Sequence, residues 1–521
     1  MRRSLLFVVA AALLAGLGTL SSDPASASAA GSKVLVLDHG RVSVRHDPFL
    51  QPADPIQPTA ADAQAARDAS AVGSAPVLQH GQAMLAASRL TVSKALKGML
   101  DRRSIDQEHY DKYLQDYKDA RASMRKLTGT RRSELTAVVG NLEALAASGK
   151  LTSTRAPLAF LTVRRNNSWW NDGRILGYGE RVEFGSSIIQ WQAYPGQGIQ
   201  LQWLGTFGKA NALWSGGKRY NEKLKTLLGE ITPLATARAG GIAWEYQFRF
   251  DGGSPPWASA MAQGTAIQAY ARAATRLDDK SYYKVAKAAL GIYRTAPPTG
   301  VRLKTSAGAH YLMYSFTTGQ RILNGFVQSL NGLHDYAEAS GDKTAASLFK
   351  DGERQARAET KETDTGAWSL YELGGSESDL SYHTLLRDFL VGLCDRLKTD
   401  KERGETLFSA PSSSTYCTTG ERFTAYLKEP PRITVRALPG AKVGASPQVR
   451  IGLSKVSTVT LTVLRGATTA ATKTVTLSRG NHTVSWGPNA SKPGTVGLSV
   501  RAVDLAGNAG TKTGSQTVKK K

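Results

Sequence analysis

The chain has 521 residues, 41% of them hydrophobic, which is enough for several cores and too many for one ordinary domain. Its 66 Lys and Arg against 42 Asp and Glu leave a net charge of +24, which points to an anionic partner or surface. Two cysteines cannot frame a zinc site, and eight scattered histidines form no cluster with metal-ligand spacing, so no metal centre is expected.

In chain order, residues 1–29 have the layout of a signal peptide. Arg2 and Arg3 form the positive end, Leu5 to Leu14 the apolar run, and "ASASA" supplies small residues for cleavage. The run is short for a membrane span, and no later segment is long and apolar enough to cross a bilayer. An exported chain is therefore expected, secreted or extracellular and associated with the cell wall. Residues 30–76, rich in Ala, Pro, Ser and Asp, read as a flexible linker with a short strand at "KVLVLD". Residues 77–157 read as a helical N-terminal unit, with a helix start near Ser133 and a stop at Gly149.

From 158 to 215 the texture changes to Gly-rich turns between β-branched and aromatic runs, which predicts a small β domain. Trp169, Trp170, Tyr178, Trp191, Tyr194 and Trp203 crowd this stretch, as core packing or as the lining of a sugar cleft. Residues 216–429 are mostly helical. "MAQGTAIQAYARAATRLDDKSYYKVAKAALGIY" and "ILNGFVQSLNGLHDYAEASGDKTAASLFKDGERQA" are both helix, turn, helix, about sixty residues apart. Repeated hairpins at such a period suggest an α/α toroid-like domain. Gly325 and Gly332, seven apart, permit close backbone approach. Cys394 and Cys417 can pair in an oxidising compartment, worth about 3 kcal/mol by chain entropy, or remain two thiols.

Residues 430–521 alternate apolar and polar positions between Gly, Asn and Pro turns, as an immunoglobulin-like or fibronectin-like β sandwich would. They hold fourteen Lys and Arg against one acid, Asp504, a net of +13. That concentration suits attachment to an anionic cell-envelope polymer. An exported chain has little call for nucleic acid, so none is expected as a partner. The expected class is thus multidomain α+β: a small β unit, a toroid-like helical domain and a terminal sandwich.

There is no Walker loop, dinucleotide fingerprint, nucleophile elbow or HExxH, so no cofactor is expected. Carboxylates, tyrosines and arginines of the helical domain remain. By periodicity alone, Tyr382 lies on an apolar stripe with Leu386, Phe389 and Leu393, and reads as a half-buried core residue. Tyr371 reads as a strand or turn aromatic, and Tyr314 in "HYLMYSF" as core or platform.

Several blocks, however, resemble the C-terminal helical domain of the D-glucuronyl C5-epimerase family. They are "WASAMAQGTAIQAYARA" (257–273), "YSFTTGQRILNGFVQSLNGLHDYAEASGD" (314–342), "DTGAWSLYEL" (364–373) and "SYHTLLRDFL" (381–390), preceded by "YPGQGIQL" (194–201). The resemblance spans about 190–428 and leaves out the N-terminal helical unit and the terminal sandwich. It implies inversion of C5 of D-glucuronate to L-iduronate within an acidic polysaccharide, with tyrosines as acid and base. Matched motif by motif, it implies Tyr314, Tyr371 and Tyr382 as catalytic. A homodimer is the assembly it implies.

The family pattern carries an Arg-His soon after the tyrosine matching Tyr371. This chain reads "YELGG" there, and its connection to "SYHT" is shorter. His383 and Arg387, four apart on one helix face, could replace that pair, as could Arg321 or Arg249. Asn324, Gln263 and Trp257 are further substrate-binding candidates, each with a structural alternative. Other classes compete: a polysaccharide lyase, a glycoside hydrolase using Asp364, Glu372 or Asp379, and a non-catalytic glycan-binding envelope protein.

Overall fold

The computed structural model describes residues 33–50, 59–71, 90–404, 407–408, 413–486 and 490–520. The expected signal peptide and residues 77–89 of the helical unit lie outside the described residues. The chain divides into two compact units, one of 1–320 with 328–352 and one of 321–327 with 353–521.

In the first unit, a five-stranded sheet runs in the order Arg41–His46, Lys33–Asp38, Arg181–Phe184, Trp191–Tyr194, Gly198–Leu201. The segment read as a flexible linker thus supplies two strands, joined by a two-residue turn in which His39 and Gly40 both have positive φ. That turn matches the strand twist and fixes the hairpin's register. A helix, Ala60–Ala71, follows. The stretch 158–215 is strand only at its middle; helices Ala156–Asp172 and Trp203–Ser215 flank it. Four-residue strands buried on both faces show no alternation, and the flanking aromatics imitate β-propensity. Trp169, Trp170, Trp191 and Trp203 are all sealed in the core, not a cleft.

The helix Gly129–Ala147 begins four residues before Ser133, whose hydroxyl bonds back to the Gly129 carbonyl. Glu134 is buried and accepts the backbone N–H groups of Gly196 and Gly198 at 2.8–2.9 Å. Those glycines, at φ +80° and +72°, make the tight turn of "YPGQG", and a Cβ on Gly198 would meet Val138 at 2.4 Å. The motif is therefore a packed corner, held by a carboxylate whose protonation burial favours.

Both expected helical hairpins form: Ala260–Leu277 with Ser281–Ala288, and Leu323–Ser340 with Lys343–Glu362. Each turns on a left-handed residue, Asp278 or Gly341, which ends an α-helix without a break in the chain. Gly332 packs so tightly that a Cβ there would sit 2.0 Å from the Gly264 carbonyl oxygen.

In the second unit, helices Leu380–Glu402 and Ser414–Tyr426 pack together and are joined by a Cys394–Cys417 disulfide. Beyond them lie two antiparallel sheets. One has strands Ile433–Ala437, Gln448–Leu453 and Gly480–Ser485; the other Thr468–Leu477, Ser457–Arg465, Gly494–Asp504 and Ala509–Val518. One buried core of Val, Leu and Ile, with Trp486, joins the two sheets. Among the described residues no helix is long and apolar enough to cross a membrane.

Candidate functional site

The opening helix of the second unit's site ends at Glu362, and the chain then doubles back on itself over 364–379. The Leu370 N–H donates to the Thr363 carbonyl at 2.8 Å, the Tyr371 N–H to Ser376 at 3.0 Å, and the Ser378 N–H to Ser369 at 2.9 Å. Gly375 closes the tip by donating to Glu372 at 3.1 Å, with Gly374 at φ +72°. Tyr371 is thus the last paired residue before a tight turn, a position with little freedom. Asp379 then caps the next helix, its Oδ1 accepting the Tyr382 N–H at 2.8 Å. Cap and turn together fix both phenols. Their rings meet with centroids 4.6 Å apart and planes inclined by 52°, and both side chains are partly exposed.

The buried stripe of the Leu380–Glu402 helix runs through His383, Leu386, Leu390, Leu393 and Leu397, one position off the stripe expected through Tyr382. The helix therefore buries the imidazole and displays the phenol. His383, expected to hold substrate, is fully buried and stacked on Trp368 at 3.8 Å. Its Nε2–H donates to the Phe423 carbonyl at 3.0 Å, and Nδ1 accepts the Ser369 N–H at 3.2 Å. Burial lowers its pKa to about 4, against the opposing bond to Phe423. A neutral imidazole with both nitrogens bonded inside the core cannot anchor a carboxylate. Its role is to set the backbone at Ser369, two residues from Tyr371. Periodicity missed this because imidazole counts as polar, whereas here its flat face packs like a hydrocarbon against indole.

Arg387 pairs with its neighbour Asp388 at 2.6 Å. Arg321 is the better placed cation. Its carbonyl accepts the Leu373 N–H at 3.1 Å, and Ile322 bridges Glu372, so the backbone beside Tyr371's turn is tied to Arg321. The Arg321 side chain is 39% exposed and reaches Glu359, 2% exposed, at 3.3 Å. Asn324 is buried in the first turn of its helix and its Oδ1 accepts the Gly325 N–H at 2.5 Å, which fits a structural part. Of the carboxylates, Asp364 is engaged by Arg422 at 2.7 Å and by the Tyr426 hydroxyl at 3.1 Å, and Asp379 is the helix cap.

The first unit holds the remaining candidates. Tyr314 is 3% exposed, stacked on Phe316 at 5.5 Å and beside Trp257 at 5.7 Å. With Tyr194, Tyr246, Phe248 and Met313 the two line a cavity of about 30 Å³, the scale of a water rather than a sugar ring. Trp257 also stacks on Tyr246 at 4.2 Å and donates its indole N–H to the Phe248 carbonyl at 2.8 Å. Gln263, an expected substrate contact, is fully buried; its amide donates to the Trp244 carbonyl at 2.9 Å and accepts that residue's N–H at 3.3 Å. Both ends of the amide are used, so Gln263 is structural. Arg249 donates to the Ser254 hydroxyl at 2.9 Å.

Comparison with known proteins bears on this same segment. Residues 239–401 match the family model for the D-glucuronyl C5-epimerase C-terminus. The D-glucuronyl C5-epimerase of Caenorhabditis elegans is 33% identical over 132 residues, which is 23% of this chain and 21% of that protein. An uncharacterised protein of Methanocaldococcus jannaschii is 25% identical over 153 residues, 28% of this chain and 50% of that one. The chain therefore spans half or less of the length of each of these two relatives. Among solved structures, a sugar epimerase from a ruminal bacterium aligns with a TM-score of 0.30 at 12% identity, over 44% of this chain and 59% of that one. Tyr314, Tyr371 and Tyr382 all fall inside 239–401, and over that span this chain is similar to the D-glucuronyl C5-epimerase family.

Proposed function

We propose that the chain is a carbohydrate epimerase that inverts C5 of D-glucuronate residues in an acidic polysaccharide, giving L-iduronate. The observation that carries this reading is the contact between Tyr371 and Tyr382, eleven positions apart in sequence, within the segment similar to the epimerase family.

A hydrogen on carbon next to a carboxylate is a very weak acid. Inversion needs a base to take it, a donor to return one on the opposite face, and positive charge to hold the enolate that forms between. Tyrosine suits both parts: its phenolate is a stronger base than a carboxylate, and its phenol, with an ordinary pKa near 10, is still a ready donor. A sugar sandwiched between two aromatic faces would need the rings about 7–8 Å apart, twice a carbon–carbon contact. At 4.6 Å the rings leave no such slot. C5 is then held between the two phenol oxygens: one, as phenolate, takes the proton to leave the enolate, and the other, as phenol, gives a proton to the opposite face.

Arg321 is assigned the substrate carboxylate, because its backbone is bonded to the turn that carries Tyr371. Arg387 is five residues from Tyr382, about 140° round the helix, and so belongs to another face. Tyr314, sealed in the first unit beside a water-sized cavity, is assigned no step here. The toroid-like arrangement of the helical hairpins, export of the chain, and engagement of an anionic envelope polymer by the +13 terminal region belong to the same reading.

The test is incubation of the purified chain in heavy water with an unsulfated glucuronate polymer, read by NMR. Deuterium at C5 without loss of chain length is the expected result. An unsaturated uronate absorbing in the ultraviolet would instead identify a lyase, and new reducing ends a hydrolase.

A further inference from the structure

By sequence, the terminal β region reads as an attachment module. Its contacts with the tyrosine hairpin are of another kind. Lys455, at the turn before strand Ser457–Arg465, is 2% exposed and donates to the carbonyls of Tyr426 at 2.8 Å and Glu429 at 2.6 Å. It pairs with buried Asp504 at 2.7 Å, and its ammonium sits 5.2 Å from the centre of the Trp368 ring. On the next residue, the Val456 N–H donates at 2.7 Å to Glu377, whose side chain is 3% exposed. Arg479 approaches the other Glu377 oxygen at 3.6 Å, and Arg432 donates to the Gly366 carbonyl at 3.2 Å.

All three landing points, Gly366, Trp368 and Glu377, lie on the 364–379 hairpin. Glu377 bridges to Leu370, the residue before Tyr371, and Trp368 carries His383 on its face. The hairpin is thus gripped from the β region on both of its arms, on either side of the phenol it presents. Surface charge would be wasted in a buried lysine; here one of the fourteen cations works inside the molecule.

We propose that the C-terminal β region is a positioning part of the tyrosine site, with Lys455 and Glu377 as positioning residues that hold the hairpin carrying Tyr371. The structural arm of this inference stands on the contacts alone, and only its activity arm rests on the epimerase reading. A displacement of ~1 Å in an acid/base group can cost roughly a hundredfold in rate, so a loosened hairpin is expected to lower kcat more than it changes KM.

The experiment uses the full-length chain and its Glu377→Ala, Glu377→Gln and Lys455→Met variants, followed by amide hydrogen exchange and by C5-deuterium uptake. In Glu377→Ala and Lys455→Met, peptides covering 364–379 should exchange about tenfold faster, with those covering 384–397 unchanged. Glu377→Gln keeps an acceptor for Val456 and should restore protection and most of kcat. Lys473→Ser, on an exposed strand position, should alter neither readout. Unchanged hairpin protection in both Glu377→Ala and Lys455→Met would overturn the proposal, as would a uniform rise across both peptides, which is general loosening. A wild-type chain inert toward glucuronate polymers would remove the epimerase reading and leave the exchange result to decide this one.

Discussion

Two groups of tyrosines in this protein share a side chain and differ in everything around it. In the first unit, Tyr293 and Tyr311 are fully buried, and their hydroxyls donate at 2.6 Å to the carbonyls of Ala260 and Leu348. Burial drives both phenols far above their ordinary pKa, so they stay protonated and serve as struts. In the second unit, Tyr371 and Tyr382 are partly exposed, set by a tight turn and an aspartate cap, and packed against each other. The difference teaches that tyrosine content says little about chemistry. What matters is whether the ring is sealed in a core with its hydroxyl on a backbone carbonyl, or held at a partly exposed turn beside a second phenol.

The largest expected effect breaks the displayed pair. Tyr371→Phe or Tyr382→Phe should each cut C5-deuterium uptake by about 10³-fold, near 4 kcal/mol of barrier, with the thermal midpoint little changed. Next comes the sealed imidazole behind that pair. The folded His383 pKa, about 4, lies below the ordinary 6.5, so the unfolded chain takes up the proton first as pH falls. The stability it contributes is complete above pH 6.5 and is lost as pH drops toward 4, roughly 3 kcal/mol in all. Denaturant titrations at several pH values should show a steeper slope in that window for the natural chain than for His383→Phe.

Third, Arg321→Met should lower kcat/KM by about 30-fold, or ~2 kcal/mol, with Arg321→Lys in between, since a point charge replaces a fork but not its geometry. The smallest effect sharpens the contrast from the other side. Tyr293→Phe should cost about 1 kcal/mol in unfolding free energy for one lost hydrogen bond, and leave deuterium uptake within about twofold.

How much of this was legible in the sequence follows from how local each determinant is. The helical hairpins were readable because apolar periodicity and a turn residue, Asp278 or Gly341, act within a few positions. The pairing of Tyr371 with Tyr382 came only through family resemblance; periodicity alone placed Tyr382 in the core. That reading slipped by one residue because His383 packs as an aromatic on Trp368. The strands at 181–201 lie within the expected β stretch, but its bounds run too wide because the flanking Trp-rich helices imitate β-propensity. Gln263 looked like a substrate contact because its closed amide pair with Trp244 joins residues nineteen apart. Lys455 and Glu377 gave no signal at all. Their meaning arises from contacts across about eighty residues, which bury one lysine of a strongly basic region.

One comparison tests the central claim most directly: deuterium uptake at C5 of a glucuronate polymer in heavy water by the natural chain, Tyr382→Phe and Tyr293→Phe. The account predicts uptake by the natural chain and by Tyr293→Phe, and its collapse in Tyr382→Phe. Uptake in Tyr382→Phe at the natural rate would contradict it.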